Sequence, residues 1–148
     1  MQVERIKIRE ADARDLNFIL ATWLRSFKSS SPFTKRIKNK IYYQFHHELI
    51  RKLLQTAKVL VAADGVDDSV IYGWLVVDEL ERNDAIVGKW AIVHYTYVKS
   101  AFRGLGIAHD LWKAAALHPD ITLFTHWTYE CEKLLEKWPT LTYCPYLT

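Results

Sequence analysis

The stretch "KSAFRGLGIAHDLWKAAAL", residues 99–117, joins a run of β-forming residues to a run with helical spacing. It holds Gly104 and Gly106, two of only five glycines in 148 residues. A strand followed by a glycine turn and a helix brings unpaired backbone amides and the positive end of the helix dipole to one point. Because glycine has no side chain, an anion can approach that backbone closely. The stretch therefore predicts a turn that binds phosphate.

The spacing of the turn distinguishes between three phosphate-binding motifs. The dinucleotide motif G-x-G-x-x-G requires a third glycine at position 109, where the chain has His109. The P-loop requires a Gly-Lys-Ser/Thr sequence, which this stretch does not contain. The pattern R-x-x-G-x-A is matched by Arg103, Gly106 and Ala108. The turn fits this third motif, and a helix start that merely contains glycines is the alternative.

Apolar spacing along the chain predicts a single α/β domain over residues 1–148. The strands are predicted at 5–10, 58–65, 69–80, 89–98, 121–127 and 141–148. The helices are predicted from Asp12 as N-cap to Phe27, around Tyr42, Phe45, Leu49 and Leu53, from Ile107 to about His118–Pro119, and from Thr128 as N-cap to Trp138. This order, β-α-α-β-β-β-α-β-α-β, has antiparallel strands in the middle and crossover connections late.

With its elements in this order, the chain resembles the GNAT superfamily of acyl-CoA-dependent N-acyltransferases. The resemblance rests on "IKIREADARDL" (6–16), on the two helices and three strands that follow, and on "VKSAFRGLGIAHDLWKAA" (98–115). It implies a mixed, mainly antiparallel central sheet flanked by about four helices. It also implies transfer of an acetyl group from acetyl-CoA to an amine, without a covalent enzyme intermediate.

The resemblance further implies which residues hold coenzyme A. Val98, at the end of the fourth strand, would pair its backbone with the pantetheine arm, and Thr128 would hydrogen bond to that arm. The splay between the fourth and fifth strands would admit it. At the pyrophosphate, Leu105 and Ile107 would serve as backbone donors or packing residues. The full set is Arg103, Gly104, Leu105, Gly106, Ile107 and Ala108.

The catalytic residues are less well defined. An alkylammonium has a pKa of about 10.4, so an amine acceptor must lose a proton before it attacks. Many family members use a glutamate on the fourth strand and a tyrosine on the fourth helix, but "WAIVHYTYV" (90–98) has no acid and Leu135 takes the place of the tyrosine. His94, which titrates near neutrality, is the candidate base, with a structural histidine as the alternative. Tyr129 is a substitute candidate for the missing acid.

The absence of the usual acid and base keeps a second function open. A GNAT-like domain without catalysis would act as a binding module for a protein or nucleic-acid partner.

Strand alternation predicts His94 on one face with Thr96 and Val98, and Tyr95 and Tyr97 on the other. The adjacent His46 and His47 do not predict a metal site, because neighbouring helical side chains diverge by about 100°.

The charge distribution bears on the acceptor. No acid occurs between Asp15 and Glu48, and this segment predicts either a solvated surface or a basic rim for an anionic acceptor. Its cations are Arg25, Lys28, Lys35, Arg36, Lys38 and Lys40. Many members of the family that the chain resembles have a further hairpin that closes the acceptor cleft, whereas this sequence has seven residues after Leu141. We therefore expect an acceptor site that is open, which suits a macromolecule, or one that a second copy of the chain completes.

Cysteine content and hydropathy bear on the compartment. The two cysteines, Cys131 and Cys144, are too few to stabilise a secreted fold by disulfides and indicate a cytoplasmic protein. No apolar run approaches the roughly 20 residues that a membrane span requires. We expect no membrane partner.

Overall fold

The computed structural model describes residues 5–82, 88–118 and 121–148. Within these residues the strands are β1 Ile6–Glu10, β2 Lys58–Asp64, β3 Ile71–Arg82, β4 Gly88–Val98, β5 Thr122–Phe124 and β6 Thr142–Tyr143. The helices are α1 Leu16–Ser30, α2 Asn39–Thr56, α3 Ile107–Ala114 and α4 Glu130–Lys137. The strands lie side by side in chain order; β1 to β4 are antiparallel, whereas β5 and β6 run parallel to their neighbours. This mixed sheet with its four helices confirms the predicted fold class.

The alternation of side chains along the strands divides the core between the two faces of the sheet. In β2, Val59 and Val61 pack with α1 and α2, whereas Leu60 and Ala62 pack with α3 and α4. The α1–α2 face is rich in aromatic rings. Trp23 of α1, which is completely buried, lies 5.5 Å from Trp74 of β3 between ring centroids.

The first helix begins later than the sequence predicted. Asp12 does act as a cap, but it caps a short 3₁₀ turn, Ala13–Asp15, from which α1 continues at Leu16. The carboxylate of Asp15 accepts a hydrogen bond from the Asp12 amide and two from Arg9, at 2.7 and 3.0 Å from its guanidinium nitrogens. These hydrogen bonds compensate for the burial of the Asp15 carboxylate, and they favour a tight turn before the helix.

The inner face of α2 differs from the prediction at one position. Tyr42 and Leu53 are buried as predicted and Leu49 is half-buried, but the Phe45 side chain is 64% exposed. His46 takes the expected place of Phe45, stacking on Tyr42 with 4.7 Å between ring centroids. A step of four residues returns to nearly the same side of a helix, closer than a step of three.

The later elements are shorter than predicted. α3 ends at Ala114 because Ala116 adopts a left-handed φ of 56°, and the predicted end at His118–Pro119 is wrong; Pro119 itself lies outside the described residues. β5 has three residues and β6 two, and the chain forms a 3₁₀ turn at Pro145–Leu147 where the strand was expected to continue. Such short strands leave little periodicity for a sequence to reveal.

Within the described ranges, every helix is too short or too polar to cross a lipid bilayer.

Candidate active site

The turn that precedes α3 has the backbone conformation that its glycines predict. Gly104 and Gly106 have φ of 78° and 83°, in the left-handed region that favours glycine. A Cβ built on either residue would meet no other atom within 4 Å, so the turn faces open space. Gly106 is the N-cap of α3, and the first amides of the helix have no carbonyl partner within it. The turn can therefore present several N–H groups to an anion.

Only one of the two cations next to the turn faces it. Arg103 donates a hydrogen bond from Nε to the carbonyl of Val98, 2.9 Å away, which fixes its side chain at the end of β4. The ammonium of Lys99 lies 5.1 Å above the ring of Phe18 and lines a separate pocket with Arg14. Arg103 is thus the side chain that supplies positive charge at the turn.

A cleft of about 780 Å³ extends from this turn between β4 and the segment that joins β5 to α4. The two strands pair as far as Val93 and Phe124, the amide of Thr125 donates to Val93, and beyond that point the strands separate. The half-exposed Leu105 is not part of the cleft wall. The predicted coenzyme A residues that do line the cleft are Val98, Arg103, Gly104, Gly106, Ile107, Ala108 and Thr128.

A β-bulge in β4 places the candidate base. Val76 of β3 lies opposite Tyr95 and Val77 opposite Val93, so His94 is the extra residue between them. After the bulge the predicted alternation holds: Tyr95 and Tyr97 pack in the α1–α2 cluster, whereas Val98 packs in the other apolar cluster. Across the bulge it fails, because Val93 packs in the same cluster as Val98 although the two are five residues apart. A one-residue insertion of this kind redirects the side chain and cannot be read from alternation.

His94 lines the cleft but is only 2% exposed. Its Nδ1 lies 3.0 Å from Oγ1 of Thr125, and its Nε2 lies 3.4 Å from Oδ2 of Asp78. Burial lowers the pKa of His94, and the neighbouring Asp78 carboxylate offsets part of this effect. His94 is therefore a neutral imidazole near pH 7, able to accept a proton.

Two further polar residues of the cleft, Thr125 and His126, carry no signal in the sequence, because the pattern of residues 121–127 predicts one continuous strand. Oγ1 of Thr125 lies 2.9 Å from Nδ1 of His126, which is 7% exposed and lines the cleft. The His126 ring packs edge-on against Trp23 and Phe27, at centroid distances of 5.3 and 4.7 Å. Burial lowers the pKa of His126 to about 3, with His46 and His94 contributing further.

The wall formed by α4 differs from the sequence-based expectation. Tyr129, not Thr128, is the N-cap of the helix; Thr128 instead places its amide 3.3 Å and its hydroxyl 3.5 Å from the sulfur of Cys131. Cys131 and Leu134 line the cleft, whereas Leu135, aligned with the family's tyrosine, does not. Both leucines lack a proton to donate.

The opposite mouth of the cleft is formed by the end of α1. Ser26 is hydrogen bonded to the Tyr95 hydroxyl at 2.8 Å, and burial raises the pKa of Tyr95 to about 12. Tyr129 is half exposed at this mouth, with the ammonium of Lys35 lying 5.4 Å from the centre of its ring. Lys28, by contrast, donates to the carbonyls of Thr34 and Lys35 and stabilises the loop.

Across the described residues, no group of three or more His, Cys, Asp or Glu side chains is placed to hold a metal ion.

No protein-family model and no curated protein matches the sequence significantly. Solved structures do match. A candidate acetyl transferase from Pyrococcus furiosus superposes with a TM-score of 0.68 at 19% identity, covering 89% of this chain and 91% of that one. A possible acetyltransferase from Clostridium difficile 630 superposes with a TM-score of 0.64 at 17% identity, covering 97% and 94%.

A third match is the ribosomal-protein-alanine N-acetyltransferase of Brucella melitensis biovar Abortus 2308. Its TM-score is 0.54 at 20% identity, with 96% of this chain and 82% of that one covered. Likeness at this level of identity concerns the fold, and function depends on the residues of the site. The order of the strands, the parallel pairing of β4 with β5, and these superpositions together show that the chain has the fold of the GNAT superfamily.

Proposed function

We propose that the protein is an N-acyltransferase that transfers an acetyl group from acetyl-CoA to an amine. The observation that carries this proposal is a single continuous cleft, which begins at the left-handed glycine turn and is lined deeper in by buried, neutral histidines. The turn matches the chemistry of a pyrophosphate, and the histidines match the need to take a proton from an ammonium group. A glycine turn that served only packing would not require the open space around Gly104 and Gly106.

The residues of the cleft fit coenzyme A. Backbone amides at Gly104, Gly106 and the start of α3 would hold the pyrophosphate, with charge supplied by Arg103. The arm would then follow the edge of β4 past Val98, where β5 has separated from it, towards Thr128. When bound, acetyl-CoA supplies an activated acyl group, so the chain itself needs no nucleophile.

The chain's own contribution to the chemistry is proton transfer. His94 is the proposed proton acceptor, because it is neutral and because Asp78 stands 3.4 Å from its Nε2 to stabilise the imidazolium. Tyr129, half exposed at the cleft mouth, is the proposed proton donor to the leaving thiolate in place of the missing helix tyrosine.

The aligned Leu135 favours a second candidate, a binding module that retains acyl-CoA without transferring the acyl group. The two functions differ in turnover and not in acetyl-CoA binding. Release of free thiol in the presence of an amine is therefore the measurement that separates them.

The acceptor that we propose is anionic or macromolecular. Five cations between the later part of α1 and the start of α2 are exposed, and one of them, Lys35, stands beside Tyr129 at the cleft mouth. If these charges attract the acceptor, its binding weakens steeply as salt is raised; a flat salt response would assign them to a solvated surface. The exposed cations are Arg25, Lys35, Arg36, Lys38 and Lys40.

Two further properties belong to the same proposal. Cys131 and Cys144 are free thiols, which supports a cytoplasmic protein, where thiols stay reduced. A second copy of the chain could complete the acceptor mouth, which a mass measurement by light scattering would detect as a dimer.

The proposal is tested by calorimetric titration with acetyl-CoA. Gly106→Glu places a carboxylate in the proposed phosphate site on a left-handed backbone, so we expect the affinity to fall by about 100-fold or more. The matched control is Ala101→Glu, which adds the same charge at an exposed position that is not part of the cleft wall. Circular dichroism of both variants confirms that they are folded.

Binding by the wild type and by Ala101→Glu, lost in Gly106→Glu, supports the turn as the coenzyme A site. Thiol release is then measured with alkylamines, a lysine-containing peptide, a peptide with a free N-terminus and an oligonucleotide. Absence of binding by the folded wild type would overturn the proposal.

A further inference from the structure

Four groups form a continuous hydrogen-bonded chain from Asp78 of β3 to the cleft. Asp78 Oδ2 lies 3.4 Å from Nε2 of His94, whose Nδ1 lies 3.0 Å from the hydroxyl of Thr125. The same hydroxyl lies 2.9 Å from Nδ1 of His126. Thr125 is thus shared between the two imidazoles, and both of its neighbours are buried.

The chemistry of these groups fixes the position of each proton. An ionised Asp78 only accepts, so His94 carries its proton on Nε2 and accepts at Nδ1. Thr125 has a single hydroxyl proton, which it donates to His94; it must therefore accept from Nδ1–H of His126. This leaves Nε2 of His126 with a free lone pair.

That lone pair is open to the cleft. Within residues 5–82, 88–118 and 121–148, the His126 ring is hydrogen bonded through Nδ1 to Thr125, the backbone carbonyl of His94 is a further hydrogen-bond neighbour of the ring, and no side chain is bonded to Nε2. Among these residues, the buried side-chain nitrogen and oxygen atoms that lack a partner are Arg9 Nε and Trp23 Nε1, and Nε2 of His126 is not one of them. The unbonded nitrogen is consequently not enclosed in the core, and its ring lines the cleft. Both nitrogens of His94, in contrast, are already bonded.

Building on the acetyl transfer proposed above, we propose that His126 is the catalytic residue that takes the proton from the acceptor amine. Thr125, His94 and Asp78 are positioning residues that relay the positive charge away from it. His94 therefore acts as the final proton acceptor without touching the amine.

The proton transfers along the relay balance. The acceptor ammonium gives one proton to Nε2 of His126, and His126 gives its Nδ1 proton to the Thr125 oxygen. Thr125 passes its own proton to Nδ1 of His94. The result is a neutral amine, a neutral His126 with its proton on Nε2, an unchanged Thr125 and a His94 imidazolium beside the Asp78 carboxylate.

The surroundings of the two histidines give the relay its direction. Among the described residues, the titratable side chains that face His126 are His46 from α2, His94 and Tyr95 from β4, and, through its backbone carbonyl, Cys131 from α4. None of these is a carboxylate, and both histidines oppose a positive charge. His94 has Asp78 at 3.4 Å, so the imidazolium is favoured there.

The resting state of the relay is tested without any substrate. Long-range ¹H–¹⁵N NMR of the labelled full chain at pH 7 distinguishes which imidazole nitrogen carries the proton. We expect the proton of His94 on Nε2 and that of His126 on Nδ1. The opposite assignment for either histidine would overturn the proposal.

The catalytic role is tested with the amine that the wild type acetylates fastest among those screened. His126→Gln should lower kcat by about 10²–10⁴-fold with the KM for acetyl-CoA unchanged. Because a neutral amine needs no base, the defect should shrink about tenfold per pH unit as the pH rises towards the amine's pKa of about 10.4. A merely structural loss would not depend on pH in this way.

Thr125→Val and Thr125→Ser form the matched pair, and they keep the test decisive if His126→Gln fails to fold. Valine preserves the shape and removes the hydroxyl, so kcat should fall by about 10–100-fold; serine should restore it. Equal rates in the two variants, or a pH-independent defect in His126→Gln, would contradict the relay. If acetyl-CoA binds but no amine is acetylated, the proposed function fails together with the base; the expected NMR assignment would then describe a structural network only.

Discussion

The two ends of the cleft are built in opposite ways. The turn before α3 is exposed, faces open space and depends on backbone positions that are close together in the chain, with Arg103 supplying its positive charge. The floor around His94 and His126 is buried and depends on side chains from separate segments of the chain. An anion site can be local because backbone amides supply it. A buried proton-transfer site needs residues from several segments, because its buried polar groups require hydrogen-bond partners.

The largest effect that we expect concerns the floor. Trp23→Ala removes a fully buried ring that lies 5.5 Å from Tyr95 and 5.3 Å from His126 between centroids. Removing a buried aromatic side chain costs about 3–5 kcal/mol, so the free energy of unfolding in urea should fall by that amount. The turn does not depend on this packing, and the acetyl-CoA affinity of the folded fraction should change little.

Tyr146→Ala is the control, because its ring is 90% exposed; it should change the stability by less than about 0.5 kcal/mol. A loss below about 1 kcal/mol for Trp23→Ala would mean that packing does not hold the floor in place. The contrast between turn and floor would then fail.

The same contrast explains which features the sequence predicts. The glycine turn, the order of the elements and the antiparallel strands were predicted, because each depends on residues close together in the chain. The bulge at His94 was not, because it arises from the register between two strands. Thr125 and His126 were also missed: β5 stops after three residues, and nothing in "ITLFTHW" marks where the strand ends.

Prediction also failed where two helical positions compete for one face. Phe45 is the more apolar residue, but His46 lies closer to the direction of Tyr42 and packs on Phe27 at a centroid distance of 5.2 Å. The geometry of the helix outweighs hydrophobicity here, and it adds a third histidine near the floor of the cleft.

The floor should also make the protein sensitive to acid. The pKa values of His46, His94 and His126 are all lowered in the folded state, chiefly by burial. Below pH of about 6.5 the unfolded chain binds protons that the folded chain excludes, so stability is complete above that pH and is lost as the pH falls through the folded pKa values. The loss should amount to at most about 1.4 kcal/mol per pH unit for each histidine.

Urea unfolding between pH 7 and pH 5 measures this slope in the wild type and in His46→Phe. The phenylalanine keeps the ring that packs on Tyr42 and Phe27 and cannot take up a proton, so the slope should become shallower. The exposed His109→Phe is the control and should leave the slope unchanged. Equal slopes in all three proteins would remove His46 as a cause of acid sensitivity.

The smallest expected effect concerns the turn and compares two neighbouring cations. Arg103→Met and Lys99→Met each remove one positive charge, so any general attraction of acetyl-CoA falls equally in both. Only Arg103 is fixed at the end of β4 beside the glycines, whereas Lys99 lies over Phe18. We expect Arg103→Met to weaken acetyl-CoA binding about tenfold and Lys99→Met less than twofold, with the difference shrinking as salt is raised. Equal losses of affinity would show that binding depends on the net charge near the turn and not on the position of the cation. If neither variant loses affinity for acetyl-CoA, the backbone amides of the turn suffice to bind the anion. The anion site would then need no side chain at all, whereas the floor depends on several.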